Sequence, residues 1–131
     1  MPNHKNVVRF DLWIDPAFDE RLRAESDIRL EVGAVKAAPE KAYALLAEAH
    51  VFHISAAKDE LPVWLRADPQ LLARCPKLLC LSSSGAGYDT IDVPACTAAG
   101  IAVMNQAGGN ADSVAEMTLG LKLDVSRRIC G

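Results

Sequence analysis

The chain alternates, from one end to the other, between short apolar runs and segments with helical signals, and this alternation restricts the fold more than any other feature. Residues 7–14 read as a strand. Asp15-Pro16 then caps and opens a helix to about Ala24, proline being tolerated in a first helical turn. Ile28, Leu30 and Val32 alternate with polar residues and predict a second strand. Residues 39–49 are rich in the strong helix formers alanine, leucine, glutamate and lysine, and residues 51–55 form another short apolar run. Asp68-Pro69 opens a further helix ending near Cys75-Pro76, followed by a strand over residues 77–82. Asp92-Val93-Pro94 starts a short helix that Gly100 stops, and residues 101–104 make the last strand. Strand and helix repeated about five times predict an α/β fold, a parallel sheet with helices on both faces.

The final element differs from the others. Ser113-Val114-Ala115-Glu116 has the form of a capping box, with Asn110 and Asp112 as further cap candidates, and the helix runs to about Arg128. Val114, Met117, Leu121 and Val125 form one apolar stripe, and Leu119 and Leu123 a second. A helix apolar on two sides wants neighbours on two sides. Lys122 lies with Ala115, Thr118 and Ser126 on the least apolar face and reads as a surface lysine.

Composition narrows the function. A chain of 131 residues is one domain or a piece of a larger one. Its net charge of −3, with no basic run, argues against a nucleic-acid partner. No apolar stretch is long enough to span a membrane, and Arg9 and Asp11 interrupt the first apolar run, making it a poor signal-peptide core. Cys75, Cys80, Cys96 and Cys130 form no C-x-x-C pair and read as thiols in a reducing cytoplasm.

The chemistry concentrates in two glycine-containing segments that each follow a strand. In the first, Gly85-Ala86-Gly87-Tyr88-Asp89-Thr90 approximates the G-x-G-x-x-G dinucleotide fingerprint, but Thr90 replaces the third glycine and helical signals resume only at Asp92. Two readings remain: a plain strand-to-helix connection, or a loop whose uncovered backbone donors cradle a small carboxylate. The second segment, residues 105–110, would emerge at the same carboxyl edge of a parallel sheet, where open α/β folds bind ligands. Elsewhere the sequence offers little. His4, His50 and His53 read as surface or satisfied structural histidines, and Ser84 lacks a partner base. Asp89 and Asp92 read as turn and N-cap groups, and no His/Cys/Asp/Glu cluster has metal-ligand spacing.

At these residues the chain resembles a known family. Residues 83–92 (Ser-Ser-Gly-Ala-Gly-Tyr-Asp-Thr-Ile-Asp), 99–103 (Ala-Gly-Ile-Ala-Val) and 105–116 (Asn-Gln-Ala-Gly-Gly-Asn-Ala-Asp-Ser-Val-Ala-Glu) look like the D-isomer-specific 2-hydroxyacid dehydrogenases. The likeness is dense from about Pro76 to Arg128 and looser over residues 7–75. It implies a flavodoxin-like parallel sheet flanked by helices. Residues 1–108 would be a substrate-binding domain segment, and residues 109–131 a long helix leading toward a cofactor domain. It further implies that backbone N–H groups of Ala86 and Gly87, with Gly85 adjacent, bind the substrate carboxylate, that Asn110 faces the cleft, and that Ala86 and Val114 lie near the nicotinamide. The Ser55-Ala56-Ala57 loop is a weaker candidate for touching the substrate's variable group.

The family's catalytic arginine, glutamate and histidine, and its dinucleotide fingerprint, correspond to sequence past Gly131. The complete enzyme would be an NAD(P)-dependent oxidoreductase interconverting D-2-hydroxy acids and 2-oxo acids. The chain by itself is expected to be inactive and to bind neither NAD nor NADP stably. The alternatives are a non-catalytic binding module whose apolar last helix pairs with a second copy or with a separately encoded cofactor domain, and a truncated gene product without function.

Overall fold

The computed structural model describes residues 3–131. Five parallel strands form one sheet: β1 (Lys5–Phe10), β2 (Ile28–Gly33), β3 (Val51–Ile54), β4 (Cys80–Ser83) and β5 (Ala102–Met104). Their order is β2-β1-β3-β4-β5, the flavodoxin-like arrangement. The intervening helices are α1 (Pro16–Arg23), α2 (Pro39–Ala47), α3 (Pro69–Leu72) and α4 (Val93–Ala98), with α5 (Ala111–Arg127) last. A 3-10 turn at Val63–Leu65, which the sequence did not announce, precedes α3.

The local signals act as their chemistry requires. Asp15, Asp68 and Asp92 each turn a carboxylate back onto a first-turn N–H, of Ala17, Leu71 and Ala95 respectively. Gly100 takes φ +72° after α4. Its N–H donates to Thr97 O and that of Ile101 to Cys96 O, the pair of bonds that closes a helix on a left-handed residue.

Four expectations need correction. The first strand ends at Phe10 rather than residue 14: the Asp11 N–H makes the last bond to Gly33 O, its carboxylate accepts the N–H of Val35, and Trp13 beyond it is 85% exposed. The fourth begins at Cys80 rather than residue 77, residues 76 and 77 forming a turn ahead of it. The helix opened by Asp68 is regular only over Pro69–Leu72, with single turn bonds continuing to Cys75. The capping box at Ser113 does not form: α5 already begins at Ala111, so Ser113 lies inside it, and Asn110 takes the N-cap position without a side-chain bond.

The core lies between the sheet and the helices on one face. Val8, Phe10, Phe52, Ile54 and Leu81 meet Ala42 and Leu46 of α2, Leu71 and Leu72 of α3, and Cys96 of α4. Phe10 and Phe52 pack edge to face with centroids 5.7 Å apart. Burying aliphatic and aromatic side chains of this size contributes about 1.5–3 kcal/mol each. The opposite face carries a polar row, Arg9 on β1, His53 on β3 and Ser82 on β4, which α1 covers: Phe18 stacks on His53 and Asp19 pairs with Arg9. β2 is an edge strand, so its alternation is only partly honoured; Leu30 is buried while Val32 is 39% exposed.

α5 stands apart from this core. Val114, Met117, Leu119, Leu121, Leu123 and Val125 are all exposed. At 17 residues it is about 26 Å long. No described helix is long and apolar enough to cross a membrane.

Candidate substrate site at the carboxyl edge of the sheet

The loop after β4 is shaped from beneath by Ser83. This residue is fully buried, and its hydroxyl donates to Gly87 O at 2.6 Å and accepts from Gly85 N at 3.4 Å. The loop is thereby folded over a single side chain, with the N–H of Gly85 turned inward. Among the described residues the N–H groups of Ala86 and Gly87 find no protein acceptor. Two adjacent free donors at a strand's carboxyl end suit a carboxylate. The loop turns at Asp89-Thr90 and only then reaches α4, so no helix N-terminus lies within it.

Two other loops hold it in place. Ala56 N donates to Ser84 Oγ at 3.1 Å, and Thr90 Oγ1 donates to Ser55 O at 2.7 Å. A Cβ on Gly85 would stand 3.1 Å from that of Ala56, so glycine permits this approach. From the other side, Gln106 N donates to Gly85 O and Asn105 Nδ2 to Ala86 O, each at 3.0 Å. The structure therefore brings the Ser55–Ala57 loop, the Gly85–Gly87 loop and the 105–110 segment to one edge. Asn110 opens α5, and Val114 follows one turn later on the same side, its N–H donating to Asn110 O at 3.0 Å. Both are exposed.

A dinucleotide's pyrophosphate finds no cradle among the described residues. The glycine loop opens into a turn, the α4 N-terminus is taken by the Asp92 carboxylate, and the first turn of α5 carries Asp112. Nor do three or more His, Cys, Asp or Glu residues gather as metal ligands among those described.

The histidines divide. His4 is exposed, and His50 accepts the N–H of Asn6 on Nδ1 at 2.9 Å, a structural role. His53 is only half satisfied: Nδ1 lies 3.1 Å from Ser82 Oγ, while buried Nε2 has no partner. Burial, helped by the Arg9 charge, pushes its pKa down to about 4, so the ring is neutral at ordinary pH. Arg9 and Asp19 meet through two bonds of 2.7 and 2.5 Å. That pairing holds the carboxyl below its usual range and the guanidinium above. The sequence reading missed this cluster. Its visible trace was a lone arginine inside an apolar strand, which demands a buried partner. The four cysteines are free; burial raises the Cys75 thiol to about 11, an unreactive group.

Comparison with known proteins gives the chain's relatives. Over 62 residues the chain is 44% identical to a D-3-phosphoglycerate dehydrogenase of Mycobacterium leprae, a match covering 47% of the chain and 12% of that protein. Over 64 residues it is 41% identical to a glyoxylate reductase of Thermofilum pendens, covering 49% and 19%. The fold superposes on the 2-hydroxyacid dehydrogenase of Ketogulonicigenium vulgare Y25 with a TM-score of 0.72 at 23% identity, covering 98% of this chain and 37% of that one. The chain thus spans well under half the length of these relatives. Residues 11–126 match the sequence model of the D-isomer specific 2-hydroxyacid dehydrogenase catalytic domain, and the chain belongs to that family.

Proposed function

We propose that this chain is the substrate-holding segment of an NAD(P)-dependent oxidoreductase acting on D-2-hydroxy acids and 2-oxo acids. Residues 1–108 form the substrate-binding part, and residues 109–131 the helix that leads to a cofactor-binding partner. The observation carrying this reading is the pair of free N–H groups at Ala86 and Gly87, fixed by Ser83 below and by Asn105 and Gln106 beside them. Donors anchored in this way lose little freedom when an anion arrives. Hydrogen bonds to a charged partner contribute about 1.5–3 kcal/mol each, so the pair alone supports binding on the order of millimolar.

The chain's own residues bind and orient. The carboxylate sits on Ala86 and Gly87, which directs the reacting carbon toward Asn110 and Val114 at the mouth of the crevice. NAD or NADP supplies the hydride chemistry when bound. Ala86 and Val114 offer its nicotinamide a small apolar edge, and stable dinucleotide binding by these residues alone is not expected. Four free thiols accord with a reducing cytoplasm. An amide-resolved NMR titration with D-lactate tests the reading: shifts should centre on Ala86 and Gly87. Shifts elsewhere, or none at 50-fold the concentration given by the order-of-magnitude affinity above, would refute it.

A second reading rests on α5, whose two apolar stripes are both exposed. Paired with a second copy or with a separate domain it would lose that exposure, making the chain an association module. Sedimentation of the purified chain discriminates: a monomer up to high concentration counts against self-pairing.

A further inference from the structure

One part of the sheet has a helix on only one side. Strand pairing puts Val51, Cys80 and Ala102 in one row and His53, Ser82 and Met104 in the next, all facing away from the core. The cover that α1 gives this side ends at the contact of Phe18 with His53 and of His53 with Ser82. Beyond it Cys80 is partly buried, and Ala102 and Met104 are exposed, Met104 to 61%. Parallel sheets are covered on both faces almost without exception. Among the described residues nothing covers this patch, which is small and apolar: a thiol, a methyl and a thioether.

α5 carries what this face lacks. Val114, Met117, Leu121 and Val125 follow one another at helical spacing along one side of it, and each is more than half exposed. With Gly108 at φ +79°, the helix stands off its own sheet, so the stripe and Met104 are exposed together. The chain thus holds a helix without a surface and a surface without a helix. Two copies satisfy both by exchange, the Gly108–Gly109 joint staying as it is. Area decides between one dock and two. A helix about 26 Å long and about 10 Å across removes at most roughly 250 Å² from each surface, roughly 500 Å² in all. A specific interface needs about 1,000 Å², so a single dock is too small and two reciprocal docks reach the bound.

We infer that two copies of this chain exchange α5, each laying its Val114–Val125 stripe on the Cys80, Ala102 and Met104 face of the other. The inference rests on the α5 association reading above and locates its contact surface; the carboxylate loop plays no part in it. An interface at the lower bound of area is weak, with a dissociation constant on the order of 10–100 µM.

The test uses the full chain. Sedimentation across that concentration range should show a monomer passing to twice its mass. In a sample mixed from chains with isotopically labelled methionine methyls and unlabelled chains, the Met104 methyl should give intermolecular cross-peaks to leucine and valine methyls. Met104→Lys and Leu121→Lys should each weaken dimerisation about tenfold or more, because each buries an unpaired charge. Both side chains are exposed, so lysine leaves the monomer folded. Mixing the two variants should form more dimer than either alone. The mixed pair keeps one sound dock, the Met104→Lys chain's helix on the Leu121→Lys chain's sheet. A dimer that survives Met104→Lys, or that shows no Met104 cross-peak, keeps the association reading and overturns the sheet dock. A monomer whose Met104 methyl touches its own α5 overturns exchange in favour of closure within the chain. A monomer with neither contact overturns both the exchange and the association reading.

Discussion

Lowering the pH should destabilise this fold through one side chain, His53. Its folded pKa is pushed to about 4, against an ordinary 6.5, mainly by burial and secondarily by the Arg9 charge. The groups packed around it are Phe18, Ser82 and the Arg9–Asp19 pair, none of which can neutralise an imidazolium. Because the folded pKa is depressed, the unfolded chain binds the proton more readily. Stability is therefore complete above pH 6.5, falls as the pH drops through the window from 6.5 to 4, and loses no more through this group below it. A displacement of roughly 2.5 pKa units corresponds to about 3 kcal/mol. That is a large share of the ~5–15 kcal/mol that holds an ordinary domain together. Asp19, whose pKa is itself lowered, keeps its charge through this window, so the Arg9 pair stays constant while His53 titrates. Urea unfolding at pH 7.5 and 4.5, on wild type and His53→Phe, isolates the effect: the wild type should lose about 2–3 kcal/mol more than the variant. NMR of the imidazole gives the folded pKa directly. A value of 6 or above, or equal losses in both proteins, would refute the account of a buried, half-paired ring.

Other consequences concern the glycine loop and the last helix. Gly85→Ala should push the Ala56 loop away and weaken carboxylate binding, whereas a Cβ at Gly87 meets nothing and Gly87→Ala should fold normally; melting curves and the D-lactate titration separate the two. Ser83→Ala removes the buried hydroxyl bridging Gly85 and Gly87, at a cost of about 1–2 kcal/mol. Hydrogen exchange at Gly85, whose N–H donates to Ser83 Oγ, should accelerate, and unchanged exchange would show that the loop holds its shape without Ser83. Leu119→Lys with Val125→Lys should leave unfolding free energy within about 0.5 kcal/mol of wild type, since both side chains are exposed, while abolishing any self-association seen by sedimentation.

What the sequence made legible was local. Asp15-Pro16, Asp92-Val93-Pro94 and Gly100 each mark an element boundary by bonds spanning a few residues, and each sits where its chemistry predicts. The glycine loop was recognisable as one that does not open a helix, because its third glycine is Thr90. What escaped depended on distant partners. Just past β1, Asp11 reaches Val35, 24 residues on, and nothing near Leu12 to Ile14 reveals that. Near α5, Asn110, Asp112 and Ser113 are all competent caps, so composition could not choose among them. The polar row of Arg9, His53 and Ser82 was invisible for a different reason. Alternation says that neighbours point to opposite faces, but not which face a helix with Phe18 and Asp19 will cover.

The bonds from Asn105 and Gln106 to the backbone of Ala86 and Gly85 have a mechanical meaning. They join the root of α5 to the glycine loop, and between that root and the helix stand Gly108, at φ +79°, and Gly109. A torque on α5 thus has a compliant joint to bend first, and beyond its range the next part to move is the glycine loop itself. This 26 Å helix (about 17 residues at 1.5 Å each) is geared to the glycine loop through two hydrogen bonds. Small rotations are taken up at the two glycines; large ones reach the shape of the Gly85–Gly87 loop.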